Sequence, residues 1–109
     1  MRDLETLRRQ IEAYRRSDDE RGLAVVLGEL GVQLAAQAGE ENRGAAQRHL
    51  KEALALFERV GDHGGVALTW LNLGNLASDA GRWMEALTSY RAAVPVFERL
   101  GDLPRLGFL

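Results

Sequence analysis

The sequence predicts an all-α fold of stacked antiparallel helix pairs, with about five helices in all. Three observations lead to this prediction. A segment of about forty residues is repeated along the chain, apolar residues recur at the spacing of a helix, and no useful length shows the two-residue alternation of a half-buried strand. The chain has 109 residues, so these helices form one domain at most.

The repeat consists of two halves whose offsets differ. In the first half, Gly31 and its neighbours recur 43 residues later around Gly74. In the second half, the run Phe57–Asp62 recurs 40 residues later as Phe97–Asp102. The difference of three residues requires an insertion between the halves, which we assign to the polar run 39–44. The first copy is therefore expected to have the longer inner turn.

The register of the repeat divides the chain into four segments. Residues 1–19 are predicted to form the second helix of a partial repeat, residues 20–61 repeat one, residues 62–101 repeat two, and residues 102–109 the start of a truncated repeat. Within each repeat, apolar or small residues fall at the i, i+3, i+4 and i+7 steps of a helix.

Residues that favour helix ends lie near the predicted boundaries. The predicted N-caps are Asp18 or Asp19, Asn42 and Asp62. Gly39 and Gly81 are predicted at helix C-termini. Pro95 falls within the last long helix, where it removes one backbone hydrogen bond, so we expect a kink there.

The second copy resembles the tetratricopeptide repeat at nearly every marked position. The residues that carry the resemblance are Trp70, Leu71, Asn72, Leu73, Gly74, Asn75, Gly81, Arg82, Trp83, Glu85, Ala86, Tyr90 and Ala93. Small residues at Gly74, Ala86 and Ala93 would let paired helices approach closely. The side chains expected to fill the remaining volume are Trp70, Leu73, Tyr90 and Trp83. The resemblance implies a right-handed superhelix, an α-solenoid, whose function is to bind proteins.

The first copy keeps the leucines and small residues of this pattern but lacks the tryptophans. The repeat length resembles the forty-residue variety found in kinesin light chains, spindle-orientation adaptors and bacterial multidomain regulators. The resemblance covers essentially the whole chain and indicates a fold superfamily with a broad role.

The resemblance also implies a concave groove, lined by the first helix of each pair, that takes an extended or helical peptide. The expected exposed groove residues are Val25, Glu29, Val32, Leu68, Leu71, Asn72, Asn75 and Asp79. An amide at Asn72 or Asn75 can donate to and accept from the backbone of a bound segment. Alternatively, both asparagines tie neighbouring helices together or face water.

The charge of these positions restricts the class of partner. Grooves of this family that grip a terminal carboxylate use lysines and arginines, whereas this chain has Leu68 and Leu71 at such positions. Glu29 and Asp79 instead favour a basic partner. The last predicted helix presents Val94, Val96, Phe97 and Leu100 with only a short segment after it, so we expect a homodimer or larger assembly through these residues.

Composition argues against several other partners. A net charge of -2 gives no reason to expect nucleic acid or an anionic membrane, and the arginines near the N-terminus alternate with acids, as on a solvated helix face. The chain has no cysteine, no apolar stretch long enough to span a membrane and no signal peptide, which predicts a cytoplasmic protein.

Chemistry-bearing residues are too scattered to predict an enzyme. His49 lies near Glu52, and His63 follows Asp62, but neither pair has the further ligands of a metal site. No phosphate-binding loop or activated serine is recognisable, so no cofactor is expected. We therefore predict a non-catalytic interaction module for a protein or peptide partner. The alternative is a structural or regulatory segment excised from a larger bacterial-type signalling or transcription regulator.

Overall fold

The computed structural model describes residues 3–101, which form five α-helices. The helices are α1 (Leu4–Ser17), α2 (Glu20–Ala35), α3 (Glu40–Val60), α4 (His63–Asp79) and α5 (Trp83–Leu100). No strand occurs within residues 3–101. The predicted all-α helical repeat with about five helices is confirmed.

The five helices lie in two layers. Each helix packs on the next one along the chain, and α2 also contacts α4 within its own layer. Side chains connect the helices of the other layer, which are α1, α3 and α5. Arg15 of α1 donates to both carboxylate oxygens of Glu52 on α3, at 2.8 and 3.0 Å, and Gln47 of α3 donates to Glu85 of α5 at 3.3 Å. The helix pairs α2–α3 and α4–α5 fall within the predicted segments 20–61 and 62–101, and we call them repeat one and repeat two below.

Aspartate side chains cap the start of three helices. Asp3, Asp19 and Asp62 each accept a hydrogen bond from the backbone N–H three residues later, at 2.7 to 2.9 Å. The predicted caps at Asp19 and Asp62 are confirmed. The predicted cap at Asn42 is wrong, because Gly39 is the N-cap of α3 and the amide of Asn42 donates to the carbonyl of Ala38.

The three inserted residues lengthen α3, while the turn between the two helices is longer by only one residue, residues 36–39 in the first copy against 80–82 in the second. Helix α3 has 21 residues and α5 has 18. Helix α5 begins at Trp83, whose counterpart 40 residues earlier is Arg43, yet α3 already begins at Glu40. The insertion is therefore most of one extra turn at the start of α3. Gly39, which was expected to end α2, instead precedes α3 with a φ of 114°.

Most of the core is built from leucine and alanine. Leu7, Leu27, Leu30 and Leu50 are fully or almost fully buried in a cluster that joins α1, α2, α3 and part of α4. A smaller cluster of Ala67, Ala93 and Phe97 joins α4 to α5.

Trp83 was expected to lie in the core, and this expectation is wrong. Its side chain is 67 % exposed, and it stands at the first residue of α5. Trp70, Leu73 and Tyr90 are buried or half-buried, as expected.

Glycines allow helices to approach at equivalent places in both repeats. A Cβ at Gly31 would lie 2.8 Å from the Cγ of Leu50, and a Cβ at Gly74 would lie 2.6 Å from the ring of Tyr90. These glycines hold α2 against α3 and α4 against α5. The close approach predicted for Gly74 is present in the structure.

Candidate functional site

The predicted groove positions form two parallel stripes on the layer of α2 and α4. Val25, Val32 and Leu68 are each between 42 and 52 % exposed, so three large apolar side chains are accessible on these two helices. Asn75 and Asp79 are exposed, and Glu29 and Asn72 are partly exposed. We call this set of seven residues the α2/α4 face. Because α2 contacts α4, its two stripes lie side by side.

Leu71 does not belong to the α2/α4 face. Only 9 % of its surface is exposed, so the expectation that it lines an open groove is wrong. Leu71 lies one helical turn before Gly74, on the side of α4 that turns towards Tyr90 and α5. Burial between helices removes it from contact with a partner.

Asn75 is connected to the second helix of its own repeat. The hydroxyl of Tyr90 donates to Oδ1 of Asn75 at 2.6 Å. Burial, together with the nearby charge of Asp79, raises the pKa of Tyr90. Asn75 thus ties α4 to α5, which was the alternative considered for the two asparagines, while Asn72 lies on the open stripe of α4.

The α2/α4 face has an acidic bias. Glu29 and Asp79 are its only ionisable members, and neither stripe contains lysine or arginine. Arg21, at the start of α2, forms an ion pair with Asp62 at 3.2 Å. The face can therefore offer apolar contact and negative charge to a bound segment.

The comparison with known proteins decides the family. A family model described as the tetratricopeptide repeat matches residues 35–99, which is more than half of the chain and includes α3, α4 and all but the last residue of α5. The chain belongs to the tetratricopeptide repeat family. Repeats of this family generally mediate contacts between proteins. No curated protein and no solved structure matches the chain.

The tetratricopeptide layers also enclose a cleft that sequence reasoning missed. It has a volume of about 550 Å³ and lies between α3, α4 and α5, with Trp70 and Leu73 in its lining. The extra turn of α3 contributes Glu40 to it, and Arg43 comes directly after that turn. The other charged residues that line the cleft are Lys51, Arg82 and Glu85. Three helices from two repeats build this cleft, so no pattern within one helix could have indicated it.

The last tetratricopeptide helix exposes apolar side chains, but they are not the predicted ones. Phe97 is buried in the cluster with Ala67 and Ala93, and Val96 packs against that cluster, so the expectation that both are open is wrong. Val94 is half-buried and Leu100 is exposed.

The exposed apolar side chains of α5 lie mainly towards its start. Trp83, Met84 and Leu87 are all exposed. A recess of about 710 Å³ follows α5 from there, and its lining is Ser78, Trp83, Ala86, Leu87, Tyr90, Arg91, Val94 and Pro95. We call this surface the α5 face. Trp83, Leu87 and Val94 lie at i, i+4 and i+11, so helical spacing in the sequence was the signal that could have identified it.

Neither histidine lies in a cluster that could hold a metal ion. Within the described residues, no group of three or more histidine, aspartate or glutamate side chains is suitably placed. His49 is half-buried at the junction of α1 and α3, and this burial lowers its pKa. Among residues 3–101, no helix is both long and apolar enough to cross a membrane.

Proposed function

We propose that this tetratricopeptide protein is a non-catalytic interaction module that binds a peptide or protein segment on the α2/α4 face. The observation that carries the proposal is the exposure of Val25, Val32 and Leu68 on adjacent helices of one layer. Apolar side chains that are exposed together on a folded domain mark interaction sites more often than scattered ones do. The polar groups around them can fix the orientation of a bound backbone.

The chemistry of the face specifies the partner's general character. Glu29 and Asp79 attract a segment that carries lysine or arginine, while the valines and Leu68 accept apolar side chains. From Leu68 to Asp79 the stripe on α4 extends about 16 Å, at about 1.5 Å per helical residue. An extended segment of about five residues covers that length, at roughly 3.3 Å per residue.

Repeat spacing supports a more specific place in the family. The two halves recur at offsets of 43 and 40 residues, which favours the forty-residue variety over shorter repeats.

The test is peptide selection from a displayed library of random segments, using the full chain. We expect enriched peptides to combine basic and apolar residues, and to lose binding to the Leu68→Asp variant. The Leu87→Asp variant is the matched control, because Leu87 is an exposed leucine outside the α2/α4 face. Peptides that bind both variants equally, or the absence of any enriched sequence, would overturn the proposal.

A second candidate role is that of a structural segment that packs on neighbouring parts of an assembly, such as a larger regulator. The observation that favours it is the α5 face, where Trp83 and Leu87 are exposed beside an apolar recess. This role predicts that Leu87→Asp, and not Leu68→Asp, disrupts the assembly, which size-exclusion chromatography of the two variants would measure.

A further inference from the structure

The two ends of the helix stack have opposite surface character. At the N-terminal end, α1 buries Leu7 and Ile11 against α2 and exposes charged residues. Those exposed residues are Arg8, Arg9, Glu12 and Arg16. At the other end, α5 exposes the apolar residues of the α5 face. Within residues 3–101, one end of the stack thus presents a polar helix surface and the other an apolar one.

Comparison with repeat one shows what normally covers such a surface. The counterpart of Val94 is Leu54, which is buried with Leu73 and Leu76 of α4. The counterparts of Trp83 and Leu87 are Arg43 and Gln47, 40 residues earlier, and both are only partly buried. Arg43 and Gln47 line the cleft beside α4 and α5, so a following helix pair of the same kind would leave positions 83 and 87 partly exposed. Large apolar side chains at these two positions indicate a partner that covers more of α5.

We propose that the α5 face binds the same face of a second copy of this chain. A head-to-tail contact would place the arginines of α1 on the apolar recess, where their desolvation is costly. A twofold arrangement avoids this, because each copy offers its protruding Trp83 to the recess of the other. The resulting interface is closed and stops at two copies.

The margin of the recess carries both signs of charge. Arg91 lines the recess on α5, and Asp79 lies at the end of α4 next to Ser78, which also lines it. Two copies related by a twofold axis can each offer a cation to the carboxylate of the other. This arrangement adds specificity to the apolar contact between the two faces.

Sedimentation equilibrium of the full chain tests the dimer. We expect wild-type protein to be dimeric, and Leu87→Glu to weaken association by at least about thirtyfold, the size typical of a central apolar anchor. The matched control is Leu68→Glu, an exposed leucine on the α2/α4 face, which should associate like wild type. A wild-type monomer at all accessible concentrations, or equal effects of the two substitutions, would overturn the proposal.

Cysteine crosslinking distinguishes the twofold contact from a head-to-tail one. The chain contains no cysteine, so single-cysteine variants can be read without background. Val94→Cys should crosslink with itself through a short bifunctional thiol reagent, whereas Arg9→Cys on α1 should not. Crosslinking that requires a mixture of the two variants would show a head-to-tail contact and exclude the proposal. The result is independent of peptide binding, because Leu68→Glu alters only the α2/α4 face.

Discussion

Repeat one and repeat two share a backbone register but fill it with different side chains. At the closest approach of the paired helices, repeat one has Gly31 against Leu50, whereas repeat two has Gly74 against Tyr90. The leucine is almost completely buried, and the tyrosine is half-exposed with its hydroxyl bonded to Asn75. The same backbone arrangement of two paired helices can thus accommodate a buried leucine or an aromatic ring that makes a polar contact at the surface.

The two repeats also differ in how they are covered. Repeat one lies between α1 and α4, and the larger core cluster runs through it. Helix α5 of repeat two is held by the smaller cluster and leaves the α5 face exposed. Local stability depends on such buried apolar contacts, so the monomer should be most stable in repeat one and least stable at α5.

The largest expected effect is the loss of a core leucine in repeat one. Leu30 and Leu73 are equivalent, and their exposed fractions are 1 % and 8 %. Leu30→Ala should lower the free energy of unfolding by about 3 to 5 kcal/mol, near the upper end for buried leucines. Leu73→Ala should cost less, because its site borders the open cleft. Urea unfolding measures both free energies, and equal losses would contradict the expectation that repeat one is the more stable repeat.

Substitutions that add a methyl group at the helix contacts should also affect the stability of the two repeats differently. Gly31→Ala places a methyl group against buried Leu50 and should destabilise the protein by about 1 to 3 kcal/mol. Gly74→Ala should be milder, because Tyr90 can move towards solvent, whereas the gain of about 1 kcal/mol in helix propensity from glycine to alanine is common to both positions. Thermal unfolding would show the order, and a larger loss for Gly74→Ala would refute it.

The polar contact of repeat two should make a smaller contribution. Tyr90→Phe removes the hydrogen bond to Asn75 and should cost about 1 kcal/mol. Tyr14→Phe is the control, because the ring of Tyr14 packs on Gly22. A double-mutant cycle with Asn75→Ala isolates the interaction, and a coupling energy near zero would show that the bond adds nothing to stability.

The smallest expected effect is a pH dependence that comes from His49 of repeat one. His49 corresponds to Ser89, and burial lowers its pKa. Nearby Glu52 opposes this shift, while Arg48, Arg8 and Arg15 act in the same direction as burial.

Because the folded pKa lies below the unfolded value, the unfolded chain binds more protons as pH falls below about 6.5. Stability from this residue is therefore complete above that pH and decreases below it. His49→Ser should remove this contribution to the pH dependence of the free energy of unfolding, which urea unfolding at several pH values would measure. An NMR titration midpoint at or above the ordinary histidine value would contradict the assignment.

The sequence was most informative where the signal is local. The helix pairs and the caps at Asp19 and Asp62 follow from periodicity and from the hydrogen-bonding needs of helix starts. The N-cap of α3 was wrongly assigned to Asn42, because the charged residues before it are equally compatible with a loop and with an exposed helical turn.

Burial was predicted less well, because it depends on which helix lies opposite. Val25, Val32 and Leu68 were correctly expected to be exposed. Leu71 was expected to be exposed but is buried, and Trp83 was expected to be buried but is exposed. A single helix shows which residues share a face, but it does not show whether another helix covers that face. The cleft beside the extra turn of α3 is a further product of several helices together.

The contact between successive pairs has a consequence for how the chain can change by duplication. The ring of Tyr14 lies on Gly22, and the ring of Phe57 lies on Gly65, so both contacts use an aromatic residue and a glycine eight positions later. Both residues of each aromatic–glycine contact therefore lie within one short stretch of sequence. Duplication of a gene segment that encodes whole repeats also duplicates this contact between helix pairs. The stack can therefore be lengthened without a compensating mutation elsewhere.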